Sequence, residues 1–394
     1  MTYFDFDTAV DRRNTDSLKY DFAESRGRPA DVLPLWVADM DFRAPDSARN
    51  ALRNLADHGI FGYSDTREEY ADAVLGWFER RHGWRGTADW IVKTPGVVTA
   101  LALSVRAYTE PGDCVLIQPP VYYPFYQVIR DNGRRIAECP LVLRDGRYEI
   151  DLNRFEETVA RQKPKMFLLC SPHNPVGRVW SEEELCGMGE ICRRHNVLVV
   201  SDEIHCDIVR PGHRHRVFPE VVPDLTDRCV LCTAPSKTFN LAGLQISNIF
   251  IPDDLLRARF AKELSRFGYS QPNQAGIAVC QAVYRDPESA RWLDALLSYL
   301  WDNLRFLKEF LAAELPGIRL IEGDGTYFAW LDCSDLGLTD PELNDLVTNR
   351  AKLWLDAGRM FGKEAGSGFQ RLVYACPRST LKEALARLKR AVES

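Results

Sequence analysis

Through the middle of the chain, apolar and polar positions follow two alternating rhythms. Short apolar runs rich in β-branched residues occupy 114–118, 166–170, 197–202, 229–233 and 246–251. Such runs suit strands buried on both faces. Amphipathic stretches with helix-start signals lie between them. Thr66-Arg67-Glu68-Glu69 and Ser181-Glu182-Glu183-Glu184 read as capping boxes, in which the hydroxyl accepts from the third helical N–H and the glutamate reaches back. Strand and helix patterns alternating at short spacing predict an α/β fold: a mostly parallel sheet with helices on both faces.

After Asp286-Pro287 the rhythm changes. A long helical segment runs to about residue 315. A strand-like 326–331, a helix after Asp340-Pro341 and a strand at 372–375 follow. An amphipathic helix closes the chain, opened by Thr380-Leu381-Lys382-Glu383, which reads as a third capping box. This pattern predicts a smaller α+β unit. The expected organisation is an N-terminal arm at 1–45, a large domain at 46–286 and a small domain at 287–394. The arm would pack on the small domain or on a partner subunit.

Composition narrows the classes. A chain of 394 residues suggests two domains, or one large domain with a smaller companion. Nine Trp, 19 Phe and 14 Tyr within a 45% apolar chain exclude disorder as the main state. Lys plus Arg number 50 against 56 for Asp plus Glu, and a net charge of −6 disfavours a nucleic-acid partner. No run approaches the roughly 20 apolar residues of a membrane span, so no membrane partner is expected. The opening Met1-Thr2-Tyr3-Phe4-Asp5-Phe6-Asp7 resembles neither a signal peptide nor a transit peptide. Eleven scattered cysteines, an odd number, fit reduced thiols in the cytoplasm. The lone Cys-x-x-Cys, Cys229 to Cys232, reads as a buried strand. The pair in His213-Arg214-His215 reads as solvated in a polar loop, and no metal ion is expected.

Four segments end strands or open helices and carry groups capable of chemistry. Ala234-Pro235-Ser236-Lys237-Thr238-Phe239-Asn240 follows a buried strand. Desolvation there would lower the Lys237 pKa and make its neutral amine available for imine formation. In Lys93-Thr94-Pro95-Gly96-Val97-Val98 a Pro-Gly turn precedes an apolar helix, whose first N–H groups form an anion site. Asn174, held extended before Pro175, can point its amide across the strand ends. Asp202 ends a strand at the edge where open α/β sheets bind ligands. Singly, three of the four have a plainer reading: a surface lysine, an ordinary helix start, a capping carboxylate. Together they offer a phosphate cradle, an amide, a carboxylate and an imine-forming lysine.

Asn-Pro-x-Gly, then Asp-Glu-x-His, then Ser-Lys-Thr-Phe-Asn-x-Ala-Gly resembles the fold-type I pyridoxal-phosphate (PLP) enzymes of the class I/II aminotransferase superfamily. The resemblance covers essentially the whole chain and narrows to the MalY/PatB-type C–S lyases. The narrowing rests on Phe6-Asp7-x-x-Val10-Asp11-Arg12-Arg13, on Leu35-Trp36-Val37-Ala38-Asp39-Met40-Asp41-Phe42, on Asp202-Glu203-Ile204-His205-Cys206-Asp207 and on Ala375-Cys376-Pro377-Arg378.

The resemblance implies the following roles. Lys237 binds the cofactor as an imine and shuttles the proton. Asp202 pairs with the pyridinium nitrogen, Asn174 bonds the ring's 3-oxygen and Tyr122 stacks on the ring. Gly96, Val97 and Val98 present N–H groups to the phosphate, and Ser236 adds a hydroxyl. His205 stands in the cofactor site where many aminotransferases carry a tyrosine. Tyr63 reaches the neighbouring subunit's phosphate, which implies a homodimer with shared sites. Arg378 binds the substrate α-carboxylate. Gln245 replaces a phosphate-binding arginine common in the superfamily. The implied activity is α,β-elimination from cystathionine or a related S-substituted cysteine, giving pyruvate, ammonia and a thiol. A PLP-dependent aminotransferase is the alternative, and a regulatory protein on an enzyme fold is a third reading.

Overall fold

The computed structural model describes residues 4–394; the expectation about the first three residues lies outside this range. Seven strands form the main sheet: β1 (Ile91–Thr94), β2 (Cys114–Ile117), β3 (Arg135–Glu138), β4 (Met166–Cys170), β5 (Leu198–Asp202), β6 (Cys229–Thr233) and β7 (Ser247–Phe250). Their order is β1-β7-β6-β5-β4-β2-β3. β7 alone runs against its neighbours, pairing antiparallel with both β1 and β6. The remaining pairs are parallel.

The period-two geometry of a strand sorts the apolar runs onto two faces. Met166 and Leu168 of β4 join one cluster with Leu101 and Val105 of the helix Val97–Tyr108. Phe167 and Leu169 join the opposite cluster, with Phe155 and Leu185 from the helices Leu152–Gln162 and Glu182–Arg194. The inner strands β2, β4 and β6 are buried throughout because both faces are covered, whereas the edge strand β3 carries exposed Arg135 and Glu138. Cys229 and Cys232 are buried thiols on β6.

A second sheet has the order β8-β9-β11-β10, built from β8 (Arg319–Ile321), β9 (Phe328–Asp332), β10 (Asp356–Ala357) and β11 (Phe369–Val373). The 28-residue helix Pro287–Glu314 and the last helix, Arg378–Glu393, pack beside it. Leu33–Pro34 pairs with Leu353–Trp354, and Phe6 packs edge-on against Phe42 and Trp292. The N-terminal segment thus lies on the second sheet's side of the molecule.

Ser181 and Glu184 form the expected reciprocal cap. The other two expected boxes do not form. The helix Glu68–His82 starts after Arg67, while the Thr66 hydroxyl accepts from Lys93 Nζ at 2.6 Å. The last helix already starts at Arg378 after Pro377, which leaves Thr380 inside the first turn. A tertiary partner claimed one hydroxyl, and a proline with fixed φ began the other helix early. A fourth box does occur, between Thr339 and Glu342.

Candidate active site

The carboxyl ends of the central strands open onto a cavity of about 200 Å³. Gly96, Val97, Val98, Tyr122, Asn174, Asp202, His205, Ser236 and Lys237 all line it. The topology accounts for this gathering. Asn174 follows β4, Asp202 ends β5, Lys237 follows β6, and the helix Val97–Tyr108 begins after β1.

Gly96 precedes that helix at φ +125°, a conformation that favours glycine, and its N–H donates to Ser247 Oγ at 3.1 Å. Val97, Val98 and the neighbouring Thr99 form the first turn at the cavity, where helix N–H groups have no partner within the helix. Thr99 stands in the same segment of the sequence but was given no role there, although its place in the same turn was the available signal. Gln245 also lines the cavity, and its Nε2 donates to Ala242 O at 3.1 Å.

Asp202 is buried, and its carboxylate accepts from Ile204 N at 3.2 Å. Burial pushes its pKa up to about 7, against the opposing pull of Lys237. Burial likewise lowers the Lys237 amine to about 8. Its Nζ donates to the Ala38 carbonyl at 2.8 Å, which also accepts from Tyr327 Oη at 2.9 Å. Burial and the nearby Lys237 and Arg371 charges hold His205 neutral, and its Nδ1 has no partner.

Ala38 lines the cavity, and the segment 36–42 that carries it is pinned from several sides, a role the sequence motif did not announce. Arg12 grips Asp39 at 2.6 Å and Asp41 at 2.8 Å, and the fully buried Lys19 takes the other Asp41 oxygen at 2.8 Å. Asn240 ties the same segment to the lysine loop, donating to the Met40 and Phe42 carbonyls at 2.9 and 2.8 Å.

Arg378 does not reach this cavity. Its Nε donates to Asn303 at 2.7 Å and its guanidinium lies over Phe306, against the long helix. Arg371 of β11 reaches a cavity-lining residue instead. It donates to Asn174 Oδ1 at 2.9 Å and to the Trp36 carbonyl at 2.8 Å, pairs with Asp356, and leaves Nε unpartnered. The available signal was an arginine just before the apolar run Leu372-Val373, because a fully buried arginine requires a charged or polar reason.

Tyr63 lies away from Lys237 in this chain. It is 98% exposed and lines a separate cleft with Leu52, Leu55 and Tyr269. His215 is not solvated as expected: it is buried and its Nε2 meets Glu203 at 2.7 Å. A core carboxylate reached by tertiary folding outweighs the polar character of its loop; His213 remains partly exposed. Among the described residues, His82, Cys206 and Asp207 form a close group of metal-ligand types. His82 and Asp207 are bonded to each other at 3.0 Å, and Trp77 and Thr238 also bond Asp207, so hydrogen bonding accounts for the group.

Residues 30–388 match the aminotransferase class I and II family, and the chain belongs to it. The chain is 44% identical to the cystathionine beta-lyase PatB of Bacillus subtilis over 98% of its own length and 99% of that protein. It is 34% identical to protein MalY of Escherichia coli over 99% of each. Among solved structures, cystalysin of Treponema denticola, which contains pyridoxal 5'-phosphate, superposes with a TM-score of 0.95 at 37% identity, over 100% of this chain and 99% of that one. The PLP-bound C–S lyase of Staphylococcus hominis superposes at 0.92 and 32% identity, with the same coverage.

Proposed function

We propose that the protein is a PLP-dependent C–S β-lyase that cleaves cystathionine or a related S-substituted cysteine to pyruvate, ammonia and a thiol. Full-length similarity to a cystathionine beta-lyase at 44% identity carries this reading. The cavity suits the cofactor on its own chemistry. A helix N-terminus suited to an anion, a buried carboxylate with no cation bonded to it and an amine with a lowered pKa line the same cavity.

Val97, Val98, Thr99 and Ser236 would hold the phosphate, and Tyr122 would lie against the ring. Arg371 occupies Asn174 Oδ1, so Nδ2 remains to donate to the ring's 3-oxygen. Asp202 would keep the ring nitrogen protonated. Bound there, the cofactor supplies an electron sink for charge that develops at the substrate α-carbon. Lys237 removes the α-proton, and the thiolate then leaves from the β-carbon. Arg371 takes the α-carboxylate with its planar fork, with the unpartnered Nε available as one prong. This replaces the sequence-based choice of Arg378.

Homodimerisation belongs to the same reading: Ile60, Phe61 and Tyr63 are exposed together and would be covered by a partner, bringing Tyr63 to its phosphate site. A reducing cytoplasm suits eleven free thiols. Among the described residues no helix is long and apolar enough to cross a membrane.

L-cystathionine should yield pyruvate, ammonia and homocysteine with the PLP-loaded enzyme. Failure of every S-substituted cysteine to release pyruvate, with amino transfer to a keto acid instead, would replace this reading by the aminotransferase. Mixed Tyr63→Phe and Lys237→Ala proteins should regain part of the lost activity after subunit exchange; none would refute a shared site.

A further inference from the structure

Arg26 ends the short turn Glu24–Arg26, and its side chain is exposed. Among the described residues no carboxylate lies within 4.0 Å of its guanidinium. The guanidinium carbon lies 5.7 Å from the ring of Trp36. Trp36 stacks on Trp354 with centroids 4.3 Å apart and planes inclined by 11°. Its indole N–H is buried without a partner, and the residue is only 8% exposed.

Trp36 links this corner to the reaction centre, because its carbonyl accepts from Arg371 at 2.8 Å. Tyr123 links them from the other side. Its ring centroid is 5.2 Å from that of Tyr122 in the cavity wall; burial and then Asp356 raise its hydroxyl's pKa, against the smaller pulls of Arg371 and Arg26. The charges are unevenly matched. Arg371 is paired with Asp356, whose carboxyl pKa is pushed up by burial while Arg371 and, less strongly, Arg28 oppose the rise. Arg26 is left as a cation without an internal counter-charge, one tryptophan away from the arginine that would hold the α-carboxylate.

We propose that Arg26 and the Trp36 indole N–H form a subsite for a carboxylate carried by the sulfur substituent of the substrate. The inference rests on the C–S lyase reading, in which Arg371 fixes one end of the amino acid and the substituent extends toward the cavity mouth. A guanidinium and an N–H, both donors without acceptors, match a carboxylate and discriminate against an alkyl tail. An exposed cation also makes this preference sensitive to salt.

The test compares S-(3-carboxypropyl)-L-cysteine with S-butyl-L-cysteine, which share chain length and differ in the terminal charge. The PLP-loaded wild type should prefer the carboxylate substrate in kcat/KM, chiefly through KM, and lose part of that preference at high salt. Arg26→Ala should lower the ratio of the two kcat/KM values about tenfold. Arg26→Glu should invert the preference, and Trp36→Phe, which keeps the aromatic stack, should lower the ratio about threefold. A ratio within twofold of wild type in both Arg26 variants would overturn the subsite. Calorimetric binding of the same two compounds to PLP-loaded Lys237→Ala protein, with and without Arg26→Ala, tests the subsite without turnover. A failed elimination reaction and a failed subsite are therefore told apart.

Discussion

Asp202 and Asp207 lie five residues apart on one segment, each 5% exposed, and their surroundings are opposite. Asp207 accepts from Trp77 Nε1 at 3.2 Å, from Thr238 Oγ1 at 2.7 Å and from His82 at 3.0 Å. Burial raises its pKa, but the hydrogen bond and charge of His82 outweigh that and hold it below the usual carboxylate value. Asp202 has one backbone N–H and a more distant lysine, and burial wins. Glu203, between them, resembles Asp207: it faces away from the cavity and is filled by Ser201, His215 and the Phe218 N–H. A buried acid whose bonds are all made inside the protein maintains structure. One left short of donors beside a cavity is poised for a ligand that completes it.

The contrast can be broken by exchanging the consequences of mutation. Asp202→Asn should keep the fold and lower turnover on L-cystathionine about a thousandfold, since an amide cannot hold the ring nitrogen protonated. Near wild-type steady-state rates would remove Asp202 from that role. Asp207→Ala should do the reverse. Leaving His82 without its buried partner should cost roughly 3–5 kcal/mol of stability, read from urea unfolding of the cofactor-free protein. An unchanged unfolding midpoint would show that the Asp207 cluster does not hold the core.

A smaller effect separates the two arginines. Arg371→Lys should weaken every amino-acid substrate by about 1.5–3 kcal/mol in kcat/KM through loss of the fork. Arg378→Lys should change it by about 0.5 kcal/mol or less, since its side chain contacts Asn303 and Phe306. Equal losses would return the carboxylate to Arg378.

The smallest effect is in the pH dependence of the cofactor-free protein. Folded Asp202 keeps its proton up to about pH 7, whereas the unfolded chain ionises near 3.8. Its destabilising contribution is absent below that lower value and grows as pH rises toward 7. Lys237 behaves in mirror image. Its folded pKa is about 8 against 10.5 unfolded, so its cost is full below 8 and fades toward 10.5. Asp202→Asn should therefore flatten the loss of thermal midpoint between about pH 4 and 7 and leave the alkaline limb in place. An unchanged acid limb in melting curves would contradict the assigned pKa.

Much of this architecture was legible in local pattern. Fully apolar runs became the central strands because each is covered on both faces, and the groups that follow those strands converged because parallel strands deliver their ends to one edge. That reasoning reached Lys237, Asp202, Asn174 and the helix start after Gly96. Side-chain direction in the second unit was not legible. Arg371 and Arg378 are both arginines near the end of the chain, and only the register of β11 against β9 turned the first toward Asn174. His215 looked solvated because its neighbours are polar, yet folding brought it to Glu203, far from its local surroundings in character.

The sequence by itself determined five of the seven central strands, the groups that end them and the family to which the chain belongs, because these follow from apolar runs and contiguous motifs; Ile91–Thr94 and Arg135–Glu138, at the two edges of the sheet, carry charged residues and gave no apolar run. Only the tertiary structure decided which buried charges are satisfied and which are left waiting. Satisfaction depends on partners contributed by distant segments, as when residues 36–42 meet Lys237 and Arg371, and no local pattern encodes that meeting.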